Sequence, residues 1–166
     1  MLQGFPPVSH PFIKTLILGS MPGKDSLKHN QYYAHPRNAF WPIIEETFGT
    51  AVKLPYDDRL NLLLQNNIGL WDVIRNCKRT TSLDSAIVEE TIVVNDFEEF
   101  LAQHPLTTRI LFNGIKAEQS FRRYAAKAIE GSSILYQRMP STSPANARMT
   151  FQQKLEIWKN SLLPLS

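Results

Sequence analysis

Four short, mostly apolar runs along the chain have the pattern of buried strands. Each has a Gly, Pro or Asn next to it, and an apolar run set between such residues is typical of a strand covered on both faces of a sheet. The predicted strands are residues 12–18, 68–71, 109–112 and 134–139. Three of them are separated from the next by a segment with a helical pattern.

These intervening segments carry apolar residues at helical spacing. The predicted helices are residues 39–48, a helix capped by Asp57 or Asp58 that ends by Asn67, one capped by Asn95 that runs to His104, residues 116–129, and a final helix around Phe151, Leu155 and Trp158. Residues 82–94 are ambiguous, with one possible helical turn at 85–87. Strands joined by helical crossovers predict an α/β fold, a three-layer α/β/α sandwich with a four-stranded parallel sheet.

A long polar stretch, residues 19–38, follows the first predicted strand. It begins with a Gly and Pro turn at the carboxyl end of that strand, which is where open α/β sheets bind ligands. Loops of this length in compact domains are usually functional or disordered, and the Tyr, His and Asn side chains argue against disorder. Asn38 stands at or just outside the start of the next helix. It has two compatible roles, as a helix cap and as part of a site.

The composition excludes several classes of protein. At 166 residues, with 43% hydrophobic and 20% charged residues, the chain has the size and composition of one globular domain, residues 1–166. Its single cysteine, Cys77, rules out an internal disulfide and a four-thiolate iron–sulfur cluster. The four histidines are too scattered for a zinc site, and no apolar run is long enough to span a membrane. We expect a cytoplasmic monomer without a metal or other cofactor.

Charge is unevenly distributed along the chain, whose formal net charge is +3. Every charged residue between positions 84 and 99 is acidic, whereas residues 101–154 hold eight Lys or Arg residues against Glu118 and Glu130. This polarity favours a basic face that binds a phosphate backbone, although simple solubility explains it nearly as well. Nucleic acid is therefore a candidate partner.

The first strand and its loop resemble the first motif of the uracil-DNA glycosylase superfamily. That motif has a Gly–X–Asn–Pro–Gly turn, an aromatic residue shortly before His–Pro, and then Asn–X–Phe–Trp. Met21 departs from it, since it replaces the water-activating Asn of mismatch-specific uracil and thymine glycosylases. This substitution is similar to the hypoxanthine-DNA (deoxyinosine) glycosylase branch. The matching residues are the turn at 19–23, Tyr33 with His35 and Pro36, and residues 38–41.

Two further segments extend this resemblance over nearly the whole chain. The second strand ends at Asp72, where the superfamily has a base-pocket residue; a surface helix cap is the competing interpretation. The runs GLWDVI (69–74) and SLDSAI (82–87) are similar to the hypoxanthine branch. Residues 140–148 resemble the second motif, which contacts DNA. By this resemblance the DNA-binding residues are Ser141, Thr142, Ser143, Asn146 and Arg148.

The resemblance implies a monofunctional DNA glycosylase of base excision repair, acting above all on hypoxanthine in damaged DNA. Such an enzyme must take the base out of the stack before it can hydrolyse the N-glycosidic bond. Tyr33 would stack on the base, the turn and Ser20 would contact its edge, and Asn38 would hold the attacking water. The implied base-pocket residues are Gly19, Ser20, Met21, Pro22, Tyr33 and Asp72.

Two alternatives share the same fold. A mismatch-specific uracil or thymine glycosylase would carry both motifs, because the preference for hypoxanthine rests on Met21 and on the two runs. A non-catalytic DNA-binding domain would bind DNA but release no base. The wedge that fills the gap in the stack is unassigned, because the second motif has Ala145 and Asn146 there. Either Arg148 replaces it, or the wedge is poor and single-stranded or mismatched sites are preferred. No lysine stands at the predicted pocket positions, so no strand cleavage is expected without alkali.

Overall fold

In the computed structural model, which describes residues 1–50 and 52–163, strands and helices alternate along most of the chain. The strands are β1 (Leu2–Gln3), β2 (Thr15–Gly19), β3 (Ile68–Asp72), β4 (Ile74–Cys77), β5 (Val93–Val94), β6 (Arg109–Asn113) and β7 (Leu135–Met139). The helices are α1 (Lys24–His29), α2 (Phe40–Thr47), α3 (Tyr56–Gln65), α4 (Phe97–Gln103), α5 (Ile115–Tyr124) and α6 (Phe151–Leu162). Ala51 and residues 164–166 of the predicted domain 1–166 lie outside the described residues.

The central sheet is parallel and has the strand order β3-β2-β6-β7. Its four strands are the four predicted from the apolar runs, although β2 begins at Thr15 rather than at residue 12. Helices cover both faces of the sheet. The predicted fold class, a three-layer α/β/α sandwich with a four-stranded parallel sheet, is therefore confirmed.

Strand β2 shows why its sequence is apolar throughout. Ile17 belongs to the core cluster that includes residues of α2, α3 and α6, whereas Leu16 and Leu18 belong to the cluster that includes residues of α4 and α5. All three side chains are completely buried. Because successive side chains of a strand point to opposite faces, a central strand between two helical layers needs apolar residues at every position.

A second, smaller sheet was not predicted from the sequence. Strands β1, β4 and β5 pair in antiparallel fashion in the order β1-β4-β5, and β4 begins two residues after β3 ends. The ambiguous segment 82–94 contributes β5 and two short 3-10 turns, at Asp84–Ala86 and Glu89–Thr91. These turns bring the residues after β4 back to the carboxyl edge of the parallel sheet.

Three predicted helix boundaries were wrong. Helix α3 begins at Tyr56, so Asp57 and Asp58 lie in its first turn and do not cap it. Asp96, not Asn95, caps α4 by accepting a hydrogen bond from the Glu99 amide at 3.0 Å. The predicted helix 116–129 breaks after Tyr124 and continues as a 3-10 turn. Each error is one of local hydrogen bonding at a helix end and leaves the sheet unchanged.

The acidic and basic segments partly neutralise each other, which weakens the predicted separation of charge. Glu89 accepts hydrogen bonds from Lys116 Nζ and Tyr124 Oη, both at 2.6 Å, and lies 3.5 Å from Arg123 Nη1. Within the basic segment itself, Glu118 pairs with Arg138 at 2.8 Å. Much of the basic charge around α5 is thus engaged within the protein. No helix in the described ranges combines the length and the apolar sequence needed to cross a bilayer.

Candidate active site

A cleft of about 610 Å³ opens where the parallel strands end. Its volume is in the range of small-molecule pockets, about 300–1,000 Å³. The turn after β2, the ends of β3 and β6, and the loop after β7 all contribute to it. The lining therefore joins the two predicted motifs in one site. The predicted residues in the lining are Gly19, Ser20, Met21, Pro22, Tyr33, Asn38, Asp72, Ser141, Thr142 and Ser143.

Asn38 is held in the cleft just before α2. Its Oδ1 accepts a hydrogen bond from the Phe40 backbone amide at 2.9 Å, and the Asn38 backbone amide donates to the His35 carbonyl at 2.9 Å. The side chain thus helps to start the helix, as the helix-cap interpretation expected, although the N-cap position itself is Ala39. A carbonyl oxygen has two lone pairs, so Oδ1 retains the capacity to accept a hydrogen bond from a molecule in the cleft.

Tyr33 stands beside Asn38 in an uncommon backbone conformation. Its φ of 55° lies in the left-handed region, which costs energy for a bulky residue and is often retained at functional sites. The ring packs on Phe40 with centroids 4.2 Å apart and also borders the cleft. Its hydroxyl is buried without a hydrogen-bond partner among the described residues. Burial and the nearby Asp72 carboxylate raise the pKa of Tyr33, so it stays neutral.

Asp72 ends β3 and lies in the wall of the cleft. Its side chain is buried, with the residue 4% exposed, and Oδ2 has no hydrogen-bond partner in the described structure. Burial raises the pKa of Asp72 to about 7, and repulsion from Asp84 adds to this, while Arg79 acts in the opposite direction. The alternative of a surface helix cap is wrong, because a residue so buried has no surface role.

Gly19 makes room for both of these side chains. A Cβ at this position would lie 2.5 Å from Asp72 Oδ1 and 2.8 Å from Tyr33 Oη. Such distances are far below van der Waals contact, so only glycine lets the carboxyl and the phenol approach the end of β2. The Gly19 carbonyl also accepts a hydrogen bond from the Val73 amide, which joins β2 to β3 at this point.

Sequence reasoning gave no role to Asp84, which lines the cleft, or to Arg79, which contacts the turn after β2. Ser20 Oγ donates to Asp84 Oδ1 at 2.6 Å, and Arg79 Nη2 donates to the Pro22 carbonyl at 2.7 Å. Arg79 Nε and Nη1 are buried without partners among the described residues. Burial raises the pKa of Asp84, and the Ser20 hydrogen bond and Arg79 oppose that rise. Asp84 belongs to the run SLDSAI, but the sequence analysis treated it only as one of the acidic residues between positions 84 and 99.

Asn113 and Thr142 are joined by two hydrogen bonds that sequence reasoning missed. Asn113 Nδ2 donates to Thr142 Oγ1, and the Thr142 amide donates to Asn113 Oδ1, both at 2.9 Å. The Thr142 carbonyl in turn accepts from the Ala39 amide at 3.0 Å. Thr142 is 1% exposed, so its predicted contact with DNA is wrong. Asn113 ends β6 as Asp72 ends β3, and this position was the signal available in the sequence.

The rest of the second-motif loop is partly exposed. Ser141 Oγ and Ser143 Oγ accept hydrogen bonds from backbone amides two residues later, which leaves each hydroxyl hydrogen available to an anion. Behind the loop, Lys154 is 6% exposed and donates to the Ser143 carbonyl at 3.3 Å. Asn146 Nδ2 donates to the Ser141 carbonyl and Arg148 is exposed, and neither lines the cleft.

The sequence family agrees with this geometry. A family model described as the uracil DNA glycosylase superfamily matches residues 6–161. This chain belongs to that superfamily. Two curated relatives are named hypoxanthine DNA glycosylase. The one from Methanosarcina barkeri is 37% identical over 153 residues, which is 92% of both chains. The one from Methanosarcina acetivorans is 35% identical over 155 residues, 93% of this chain and 94% of the relative.

A solved structure is also similar to this superfamily member. It is the solution NMR structure of a Methanosarcina acetivorans protein provisionally named uracil DNA glycosylase. The two have a TM-score of 0.79 and 34% sequence identity, and the match covers 96% of this chain and 95% of the other. The similarity therefore extends over the central sheet and both helical layers.

In this superfamily member, Met21 is part of the packed interior as well as of the cleft. It is 7% exposed and belongs to a small core cluster with Ile74, Cys77 and Ile87. A thioether in this position has no strong hydrogen-bonding group with which to orient a water. Asn38 remains the first-motif amide in the cleft.

Two further expectations concern ions and nucleophiles at the cleft. In the ranges 1–50 and 52–163 no group of three or more His, Cys, Asp or Glu side chains is placed to hold a metal ion. No lysine was expected at the predicted pocket positions, and Lys24, which lies outside that set, lines the rim of the cleft. Its side chain is exposed, whereas lysine nucleophiles in enzymes are commonly desolvated in a pocket.

Proposed function

We propose that this protein is a DNA glycosylase that hydrolyses the N-glycosidic bond of hypoxanthine in DNA, as the deoxyinosine lesion. The observation that carries the proposal is the single cleft in which Asn38, Tyr33 and Asp72 meet the second-motif loop. The names of the two curated relatives support the choice of hypoxanthine. The proposed reaction needs only DNA and water, and one chain forms the whole cleft. We therefore propose that a single-domain monomer is sufficient for activity.

The proposed hydrolysis moves an electron pair from the glycosidic bond onto the departing base. A cation-like sugar remains, and a water oxygen attacks its anomeric carbon. The proton that this water loses is balanced by protonation of the departed base, so the products are neutral hypoxanthine and an abasic sugar. Asn38 Oδ1, fixed by the Phe40 amide, holds that water through its remaining lone pair. DNA phosphates beside the lesion stabilise the positive charge on the sugar. Asn38 is neutral and needs no protonation change to play this part.

The unpartnered polar groups of the cleft support a role in binding the base. Tyr33 Oη and Asp72 Oδ2 are buried without partners among the described residues, and buried polar groups normally have partners. Hypoxanthine carries a carbonyl at C6 and a proton at N1. A neutral Asp72 carboxyl can donate to an oxygen or nitrogen of the departing base and so stabilise the negative charge that develops there. The Tyr33 hydroxyl is a second donor.

The exposed part of the second-motif loop and the rim of the cleft bind the DNA backbone in this proposal. Ser141 and Ser143 offer hydroxyl hydrogens to phosphates beside the lesion, and such contacts fix position without reading sequence. Lys24 and Arg37 add positive charge on the opposite motif. Thr142 is left out of this set because its side chain faces Asn113.

The test is release of the base from a panel of oligonucleotides that contain hypoxanthine, uracil, xanthine or an etheno adduct, scored by alkaline cleavage. We expect hypoxanthine to be released fastest. Asn38→Ala should lower single-turnover release by about 100- to 1,000-fold, as loss of one preorganised polar group does in other enzymes. DNA binding, measured by fluorescence anisotropy, should survive. Asn160→Ala, at an exposed position on α6, is the matched control.

Each other outcome has a definite meaning. Full activity in Asn38→Ala would remove Asn38 from the mechanism. Faster release of uracil from mismatched duplexes would favour the mismatch-specific glycosylases. Binding of lesion-containing DNA without release of any base would favour the non-catalytic domain of the same fold.

A further inference from the structure

Leu83 is an exposed apolar side chain on the rim of the cleft. It is 51% exposed and lies in the loop between β4 and β5. Of the other large apolar side chains of the lining, Met21 and Tyr32 are buried and Tyr33 is half-buried. Among the described residues it is therefore the one strongly exposed large hydrophobic residue of this cleft. Single exposed hydrophobics are common on proteins, so its position and its support decide the argument.

Hydrogen bonds hold the backbone around Leu83 to the first motif. Ser82 Oγ accepts from the Lys24 amide at 2.9 Å, and Asp84 Oδ1 accepts from Ser20 Oγ at 2.6 Å. The Leu83 amide itself donates to Thr81 Oγ1 at 3.1 Å. Both neighbours of Leu83 are thus tied to the turn after β2. A loop fixed in this way loses little conformational freedom when the side chain that it carries binds.

In the part of the chain that the structure describes, the opposite rim has no strongly exposed large hydrophobic side chain. The loop after β7 presents Ser141, Ser143, Pro144 and Ala145 to the cleft, and α6 begins beyond it. Pro144 is apolar but only partly exposed. In the parallel sheet, strands β3 and β7 form the two edges. The Leu83 loop follows β4, which comes directly after edge strand β3, and the serine loop follows edge strand β7. A DNA duplex gripped by the serines across the cleft would therefore meet Leu83 on the other side of the lesion.

We propose that Leu83 enters the base stack of duplex DNA and fills the space left by the base that moves into the cleft. This inference rests on the proposed function. A base that leaves the stack exposes the flat faces of its neighbours, and an apolar side chain placed between them keeps water out. The residue comes from the loop after β4, not from the second motif, where the sequence has Ala145 and Asn146.

The decisive experiment compares Leu83→Ala with wild type on two substrates. Single-turnover release of hypoxanthine is measured from a single strand and from a duplex with cytosine opposite the lesion. We expect Leu83→Ala to be slower by about tenfold or more on the duplex, where unstacking must be offset, and unchanged on the single strand. Leu135→Ala is the matched control, because Leu135 is 70% exposed at the amino end of β7, away from the cleft.

A duplex with a bulky pyrene nucleotide opposite the lesion refines the comparison. Because pyrene itself pushes the base out of the stack, it should restore the Leu83→Ala rate towards that of wild type. An equal loss on single strand and duplex would overturn the proposal and make Leu83 a wall of the base pocket. Wild-type rates on all substrates would also overturn it.

A binding readout keeps this proposal separate from the proposed function. In the Asn38→Ala background, which holds the base intact, 2-aminopurine is placed next to hypoxanthine in the duplex. Its fluorescence should rise on binding when Leu83 is present and should rise much less with Leu83→Ala. Absence of base release by any variant would count against the glycosylase alone. An identical fluorescence change with and without the Leu83 side chain would refute insertion.

Discussion

Replacing Asp72 by Asn should change how the stability of the protein depends on pH. The side chain is buried, and burial raises its pKa from the ordinary value of 3.8 to about 7. Between these two values the unfolded chain loses the proton while the folded protein keeps it. Stability therefore falls as pH rises through this window and is independent of this group above about pH 7.

The magnitude follows from the size of the window. One pKa unit corresponds to 1.36 kcal/mol, so the two units between about pH 5 and pH 7 amount to about 3 kcal/mol of unfolding free energy. Asp72→Asn removes this contribution because an amide does not titrate. Relative to wild type, the variant should gain about 3 kcal/mol of unfolding free energy when pH is raised from about 5 to about 8. Titrating groups that do not interact with Asp72 cancel in this comparison.

Urea unfolding at a series of pH values measures the quantity directly, with the same buffers for both proteins. Asp58→Asn, at an exposed carboxyl in the first turn of α3, is the matched control for removal of one acidic group. The gain should belong to the Asp72 variant and not to the control. Unfolding free energies of wild type and Asp72→Asn that run parallel from pH 5 to pH 8 would refute the raised pKa and, with it, the neutral acid in the base pocket.

The site makes further predictions. Single-turnover release by wild type should fall as pH rises through about 7, because the neutral Asp72 donor is lost, and the profile of Asp72→Asn should be flat there. Thr142→Val should lower the unfolding free energy in urea by about 1–3 kcal/mol, because the buried Asn113 Nδ2 loses its acceptor. It should also slow base release more than it weakens DNA binding. Gly19→Ala should abolish release by crowding the cleft, whereas Gly23→Ala, whose Cβ would meet nothing closer than 3.9 Å, should not. Borohydride should trap no adduct between wild type and DNA; an adduct that disappears in Lys24→Ala would show lyase chemistry.

The sequence was sufficient for the parallel sheet and the family. Leu16, Ile17 and Leu18 are apolar because β2 is covered on both faces, and such runs are readable without coordinates. The predicted family is confirmed by the match over residues 6–161, and the relatives' names support the predicted glycosylase activity. Strands β1 and β5, with two residues each, are too short to leave a periodic signal, so the second sheet was missed.

The candidate site was less predictable because its contacts join distant parts of the chain. Thr142 was expected to face DNA, but Asn113, 29 residues away, turns its side chain inward. Asp84 meets Ser20 across 64 residues of sequence, and only the fold brings this carboxyl to the cleft. The roles of Asn38 and Tyr33 stay predictions, and Asn38→Ala tests the first of them.

The hydrogen bond from the Ala39 amide to the Thr142 carbonyl has a consequence for damage recognition. It joins the residue next to Asn38 directly to the middle of the serine loop. A phosphate backbone that pulled the serines out of place would also shift the start of α2 and misalign the attacking water. DNA bound in the wrong position would then stay bound without losing its base. One backbone hydrogen bond would thus make catalysis depend on correct binding of the DNA backbone.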